Sequence, residues 1–373
     1  MNILFITNHL NIGGITSYVL SLATGLKKRG HNVYVASSGG DLLGRFIEEG
    51  INYIHIPIRT KSEASPKMLL SYFRLKRFLK QNQISIMHAN SRTTQVLGCW
   101  LSRKTGIPYI STGHGFFMTR FSRWLFPCWG QKTIAISEQV EEHLIKDFKV
   151  DKKNIVVIHN GIDVNKFGEQ RTSLDFARDR ENREQRKKGF GLSDGPVIGI
   201  VARLSDVKGH IYLIRAMKIV LGAVSQAQLF IVGKGKMKEE LVNLVKVLGI
   251  EKNTYFLPGV SDTREVLSVM DIFVMPSLKE GLGLALMEAM AQAKACIGSN
   301  VGGIRSLIKD GYSGLLVKSA DSGALAAAIL ELLNSAPKRE YLAGNAKTFI
   351  KENFSQEKMV FETEKVYLEI VVK

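Results

Sequence analysis

One pattern recurs along this chain and restricts its fold more than any other. Short apolar runs end in glycine-bearing loops, and most of those loops open onto helix-like sequence. Asn2 to Thr7 leads to Gly13-Gly14, and a helical pattern follows from Thr16 to Lys28. Val197 to Val201 leads to Arg203 and Lys208-Gly209, Gln228–Val232 to Gly233-Lys-Gly235, and Tyr255–Leu257 to Pro258-Gly259. Asp271 to Met275 leads to Gly281 and Gly283, and Ile297–Ser299 to Gly302-Gly303. Further strands are expected near 53–56, 84–88, 109–112, 133–136 and 155–158. Near-continuous Val, Ile and Leu runs alternating with helices are the mark of a parallel sheet covered on both faces. The expected fold is α/β and doubly wound, with ligands bound where the strand ends meet the glycine loops.

The pattern stops once, in the charged and polar stretch 166–195, and restarts at Pro196. With 373 residues there is chain enough for two cores, so two Rossmann-like domains are expected, facing each other across a cleft. Their boundaries read as 1–165, a connection at 166–195, and 196–354. Residues 355–373 form an amphipathic helix, with Val360, Val366, Tyr367 and Ile370 as its apolar stripe, expected to pack back on the first domain. Three scattered cysteines (Cys99, Cys128 and Cys296) give neither a disulfide framework nor zinc spacing. The opening MNILFITN reads as a strand rather than a signal segment, and no apolar run reaches the about 18 residues of a membrane span. A cytoplasmic setting is expected, either free or peripheral on the inner face of the cytoplasmic membrane.

The richest stretch is Pro276 to Ala293. Glycines at 281 and 283 free backbone N–H groups beside a helix start, where the dipole favours an anion. Glu280 and Glu288 flank that start. Carboxylates repel phosphate but accept hydroxyl donors well, and a phosphate next to sugar hydroxyls describes a nucleotide-sugar. The plainer alternative makes Glu280 a turn residue and Glu288 a solvated helix position. Arg203 and Lys208 follow the first strand of the second half and can neutralise a diphosphate without a metal ion, or be ordinary surface cations. Gly13-Gly14 permits close ligand approach or is only a tight turn; it is not a dinucleotide fingerprint. His114, between Gly113 and Gly115 past a strand end, is a further candidate, as are Ser137 and Asn160 after the strands that precede them.

Charge is uneven. The chain carries a formal +17, and residues 59–132 hold thirteen Lys and Arg against Glu63 alone. Pro66 to Lys80 interleaves those bases with Leu, Tyr and Phe, and Phe116 to Trp129 sets six aromatics around two arginines. Basic and aromatic residues on one amphipathic surface suit an anionic membrane, where each cation contributes roughly 1 kcal/mol. A solvated basic face over a core helix is the alternative. Nucleic acid is not expected, because no recognition motif accompanies the charge.

The ordered set of Gly13-Gly14, His114-Gly115, Asn160-Gly-Ile-Asp163, Arg203 with Lys208-Gly209, Gly233-Lys-Gly235, and Glu280-Gly-Leu-Gly with Glu288-Ala-Met resembles the retaining GT-B glycosyltransferases of family 4. The resemblance covers nearly the whole chain and is strongest from Pro196 to Val317. It implies an acceptor domain followed by a nucleotide-sugar domain, and transfer of a hexose-type sugar, with UDP favoured and no metal or other cofactor. It implies that Glu288 accepts from the ribose hydroxyls and that Arg203 and Lys208 hold the diphosphate. The backbone of Gly281, Leu282, Gly283 and Leu284 would contact donor sugar and phosphate, and Glu280 would sit at the transferred sugar. His114 would touch that sugar from the opposite domain, and Gly13, Gly14, Gly233 and Gly259 would line the donor. The acceptor implied is a glycan or lipid-linked glycan such as a lipopolysaccharide core. One departure is plain: the family carries Glu after the paired glycines, whereas this chain has Arg305-Ser306. The competing readings are another enzyme on the same scaffold, such as a nucleotide-sugar epimerase, and a non-catalytic membrane- or nucleic-acid-binding module.

Overall fold

A computed structural model describes residues 1–60, 62–63, 65–119, 123, 126–167 and 182–372. The chain forms two compact units, one of Met1–Gly161 with Gln356–Lys373 and the other of Ile162–Ser355.

The first unit is built on a seven-stranded sheet in the order β3-β2-β1-β4-β5-β6-β7, with every pairing parallel. Its strands are β1 (Asn2–Ile6), β2 (Asn32–Ser37), β3 (Asn52–His55), β4 (Ile86–Ala89), β5 (Tyr109–Gly113), β6 (Thr133–Ala135) and β7 (Ile155–Val157). Side chains alternate along β1, and each face finds its own core. Ile3 and Phe5 pack with α1 (Gly14–Lys28) and the C-terminal helix Gln356–Val371. Leu4 and Ile6 pack with α3 (Pro66–Gln81) and α4 (Arg92–Thr105), on the far side of the sheet from α1. A short helix α2 (Leu43–Glu48) precedes β3, and α5 (Glu138–Phe148) precedes β7.

The C-terminal helix is fixed at several points. Gly25 of α1 lets it approach closely, since a Cβ there would lie 2.3 Å from a Val360 methyl. Glu364 accepts from Arg29 Nε at 2.7 Å and pairs with His31 Nε2 at 2.6 Å. Tyr367 is fully buried and hydrogen-bonds His88 Nδ1 at 2.6 Å.

The second unit repeats the design with six parallel strands in the order β10-β9-β8-β11-β12-β13. They are β8 (Val197–Val201), β9 (Gln228–Val232), β10 (Thr254–Leu257), β11 (Ile272–Met275), β12 (Ala295–Ser299) and β13 (Leu315–Val317). In both sheets the strand order turns back beside the first strand, at β1/β4 and at β8/β11. At such a reversal the flanking loops diverge and leave room for a ligand at the carboxyl ends. The helices that matter for the site are α6 (182–189), α7 (His210–Ala223), α8 (Lys238–Val247), α9 (Arg264–Ser268), α10 (Leu284–Ala291) and α11 (Ile304–Leu307).

Of the expected connection 166–195, residues 168–181 lie outside the described residues, and the remainder belongs to the second unit. Arg183 on α6 donates to Asp271 Oδ1 at 2.7 Å and to the Val269 carbonyl at 3.0 Å. Lys187 donates to the Gly195 carbonyl at 2.7 Å. Among the described residues, these two cations tie the stretch to the second unit.

Candidate active site

In the second unit four candidate side chains come from loops around the β8/β11 reversal. Lys208 ends a 3-10 turn, Asp206–Lys208, and α7 starts only at His210, with Gly209 left-handed between them at φ 69°. Lys208 therefore precedes the helix instead of opening it. Its Nζ lies 2.5 Å from Glu280 Oε2, on the loop after β11, and Ser277 Oγ donates to the same oxygen at 3.3 Å. Both side chains are mostly covered, at 20% and 12% exposure. Arg203 is exposed, and among the described residues it has no ion-pair partner. Ser205 Oγ and both ring nitrogens of His210 are buried without a hydrogen-bond partner among the described residues. Unpartnered buried polar atoms are rare in folded proteins, and these flank Lys208. Burial first, then the charge of Lys208, pushes the His210 pKa down to about 4.

Glu288 lies on the second turn of α10. Its Oε2 accepts from Thr263 Oγ1 at 2.9 Å. Burial pushes its carboxyl up to about 7, the nearby Asp262 charge adds to that, and the Thr263 hydroxyl opposes it. Once ionised, this carboxyl accepts a pair of hydroxyl donors, whose hydrogen bonds offset the cost of burying its charge.

The glycines divide into two groups. Gly209, Gly233, Gly235 and Gly303 let loops touch backbone to backbone. A Cβ at these positions would lie 1.9 Å from the Pro276 carbonyl, 1.9 Å from Ala202 O, 2.1 Å from Leu204 O and 2.1 Å from Gly281 O respectively. Gly233 thus serves the packing of neighbouring loops. Gly259 has only Gly233 and Lys234 nearby, no closer than 3.8 Å. Gly283 caps α10 in the left-handed region at φ 104°, followed by Leu284, while Gly281 and Leu282 are buried beneath the loop. The Leu278 N–H bonds Val207 C=O at 2.8 Å, locking the two site loops together. The Gly303 N–H donates to Glu280 C=O at 3.0 Å. That contact ties the glycine loop to the turn after β12.

In the first unit His114 follows β5, and Tyr18 of α1 stands edge-on to its ring at 4.8 Å. Its Nε2 faces Asn90 Oδ1 at 3.1 Å. Asn90 Nδ2 donates to His88 C=O at 3.2 Å, so the amide oxygen is the end turned toward His114. His114 Nε2 therefore carries the proton and Nδ1 is an acceptor. Burial holds the pKa of His114 down to about 3, so the ring is neutral. Below it, His88 Nε2 bonds Thr112 Oγ1 at 2.6 Å, and Tyr18 shares that hydroxyl at 3.2 Å. Gly13 precedes α1, whose first residue is Gly14, and an added Cβ at Gly13 would meet nothing within 4 Å. Ser137 caps α5, accepting from the Val140 N–H at 3.4 Å. Asn160 is buried, and its Oδ1 has no partner among the described residues.

The basic face is less uniform than its sequence. On α3, Met68, Ser71, Leu75 and Leu79 turn inward, which leaves Leu69, Leu70 and Phe73 more than half exposed beside Lys67, Arg74 and Arg77. Arg123, by contrast, is buried, with its guanidinium 4.3 Å from the Phe117 ring and within 5.5 Å of Trp129 and Phe148. It is part of a core, unavailable to an outside anion. Residues 120–122 and 124–125 of the same run lie outside the described residues. Among the described residues no helix is long and apolar enough to cross a membrane.

Two family descriptions match this chain: Glycosyltransferase Family 4 over residues 12–166 and Glycosyl transferases group 1 over residues 181–349. The chain is a group 1/family 4 glycosyltransferase. Among similar proteins, an uncharacterized glycosyltransferase of Methanocaldococcus jannaschii is 28% identical over 375 residues, spanning 95% of this chain and 94% of that one. The UDP-Gal:alpha-D-GlcNAc-diphosphoundecaprenol alpha-1,3-galactosyltransferase of Escherichia coli is 26% identical, over 88% of this chain and 86% of its own. The crystal structure of Anabaena Alr3699/HepE in complex with UDP and glucose superposes with a TM-score of 0.86 at 20% identity, covering 99% of this chain and 100% of that one. The glycosyltransferase described here thus has the two-domain GT-B fold. Pro276-Ser277 stands with the motif elements of the resemblance, whereas sequence reasoning overlooked Thr263, Asn90 and Tyr18. Asn90 had a usable signal: it directly follows β4, next to the reversal in the first sheet.

Proposed function

We propose that this glycosyltransferase moves a hexose-type sugar from a nucleotide-diphosphate donor, UDP-sugar foremost, with retention of anomeric configuration. The observation that carries the proposal is the Lys208–Glu280 pair at the β8/β11 reversal, with Arg203 exposed beside the same strand end. Cations placed there hold a diphosphate, and Glu280 and Glu288 accept hydroxyls of sugar and ribose. Arg203 and Lys208 stabilise the charge that builds on the leaving group, the role a metal would otherwise fill. The donor C1–O bond breaks, the acceptor oxygen bonds C1, and the acceptor proton passes to an oxygen of the departing diphosphate. His114, neutral and with Nδ1 as acceptor, receives a hydrogen bond from a sugar hydroxyl.

The acceptor in this proposal is a lipid-linked glycan at the cytoplasmic face of an anionic membrane, used for cell-surface polysaccharide such as lipopolysaccharide. The exposed apolar and basic residues of α3 support it, as does the diphosphoundecaprenol acceptor named for the E. coli relative. A thermal-shift screen of UDP-, GDP-, ADP- and CDP-hexoses tests the donor. A ligand at 100 times its dissociation constant adds about 2.7 kcal/mol. The donor that stabilises most is then mixed with diphosphoundecaprenol-linked GlcNAc and the product linkage read by NMR. A screen in which no nucleotide-sugar raises the melting temperature or is consumed rejects the proposal, and an inverted linkage rejects retention.

A further inference from the structure

The Lys208–Glu280 contact has a consequence for the order in which ligands bind and leave, resting on the donor site proposed above. Lys208 is neutralised by a carboxylate of the protein itself. Its partner Glu280 is 12% exposed, and Oε2 takes both the Lys208 ammonium and the Ser277 hydroxyl. A diphosphate that engages Lys208 competes with this carboxylate for the ammonium and lies close to it. A nucleotide-sugar brings hydroxyls to the place where Glu280 loses its cation, so the carboxylate exchanges one set of donors for another. A free nucleoside diphosphate brings no hydroxyl to that end, only a further negative charge on its terminal phosphate. Like charges held close in a partly dry site repel strongly.

We infer that Glu280 and Lys208 form a charge latch that discriminates donor from product. The pair opens for a nucleotide-sugar, whose hydroxyls satisfy Glu280, and closes again to expel the nucleoside diphosphate after transfer. Glu280 is thus a selectivity residue as well as a sugar contact, and the rigid loop contacts Leu278–Val207 and Gly303–Glu280 hold its backbone in place through the exchange. Arg203, exposed at the same strand end, meets either ligand.

The test compares wild-type protein with Glu280→Gln and Lys208→Ala. Each is titrated calorimetrically with UDP and with UDP-glucose, and UDP is also assayed as a product inhibitor. GDP, ADP and CDP with their glucose conjugates are used if UDP does not bind. Gln keeps the size and one acceptor oxygen but removes the charge. The latch requires Glu280→Gln to bind the nucleoside diphosphate more tightly than wild type, by about tenfold, which corresponds to about 1.4 kcal/mol. The gain for the nucleotide-sugar must be smaller, and product inhibition must strengthen in step. Unchanged or weaker diphosphate binding by Glu280→Gln overturns the latch while leaving the donor site standing, provided Lys208→Ala loses affinity. Wild-type protein that binds none of the four nucleotide-sugars, or Lys208→Ala that binds them as wild type does, overturns the donor site and the latch with it.

Discussion

Glu288 sets up a trade between binding and stability that pH exposes. Its carboxyl is held at about 7 instead of 4.5, chiefly by burial. Ionising it costs on the order of 3 kcal/mol more than in water, less whatever solvent screening its partial exposure allows. If the ionised form is the one that accepts the ribose hydroxyls, donor affinity follows its population. A group with a pKa of about 7 is roughly a tenth ionised at pH 6 and roughly nine-tenths at pH 8, so affinity should rise about tenfold across that range. The ligand must be a nucleotide-sugar, because the terminal phosphate of a free diphosphate titrates near pH 6 itself. Stability runs the other way. The folded pKa lies above the unfolded one, so the contribution of neutral Glu288 is complete below pH 4.5 and is lost as pH rises through about 7. Glu288→Gln should therefore be more stable than wild type at pH 8 by up to about 3 kcal/mol, and equal to it near pH 4. Titration with UDP-glucose from pH 6 to 8, beside urea unfolding at pH 4 and 8, reads both limbs. An affinity that stays flat with pH in wild type, or rises equally in Glu288→Gln, refutes the reasoning.

Lys208→Ala should lower turnover by orders of magnitude while circular dichroism stays native, because the side chain lies at a loop and supports no core. Gly303→Ala places a methyl 2.1 Å from the Gly281 carbonyl. It should displace the glycine loop and cut kcat/KM at least tenfold in steady-state assays, about 1.4 kcal/mol of transition-state stabilisation. Asn90→Asp should pull a proton onto His114 Nδ1 or free its ring; the 15N shifts of His114 report this, with unchanged shifts counting against the hydrogen bond at 3.1 Å. Replacing Leu69, Leu70 and Phe73 together by Ser should abolish flotation with anionic vesicles without lowering the melting temperature, since all three are more than half exposed.

The fold was legible because buried parallel strands announce themselves as apolar runs, and Gln228–Val232 matches β9 residue for residue. β13 escaped notice: three residues after the turn Gly311-Tyr-Ser-Gly314 give no period to read, and the strand exists only because β12 offers it a ladder. Charged types were the least legible. Arg123 counted as a membrane-facing base from sequence, yet its guanidinium stacks among three rings inside the first unit. Arg183 and Lys187 looked solvated and instead pin α6 to the second sheet. Ser137 has a helix N-cap to explain it. Composition cannot tell a glycine with open space beside it from one that admits another loop; the position of the Ala202 carbonyl distinguishes Gly233 from Gly13.

The C-terminal helix completes the core that β1 and α1 begin, through Val360 against Gly25 and Tyr367 against His88. The Ile162–Ser355 unit is therefore an insert, and the unit around it is a host written in two pieces. During synthesis the insert emerges whole and can fold while the host still lacks its final helix. The apolar α1 face of the host thus stays uncovered until the helix Gln356–Val371 has been made. A nascent chain stalled before Gln356 would present that face to chaperones, whereas the insert expressed alone carries both its ends.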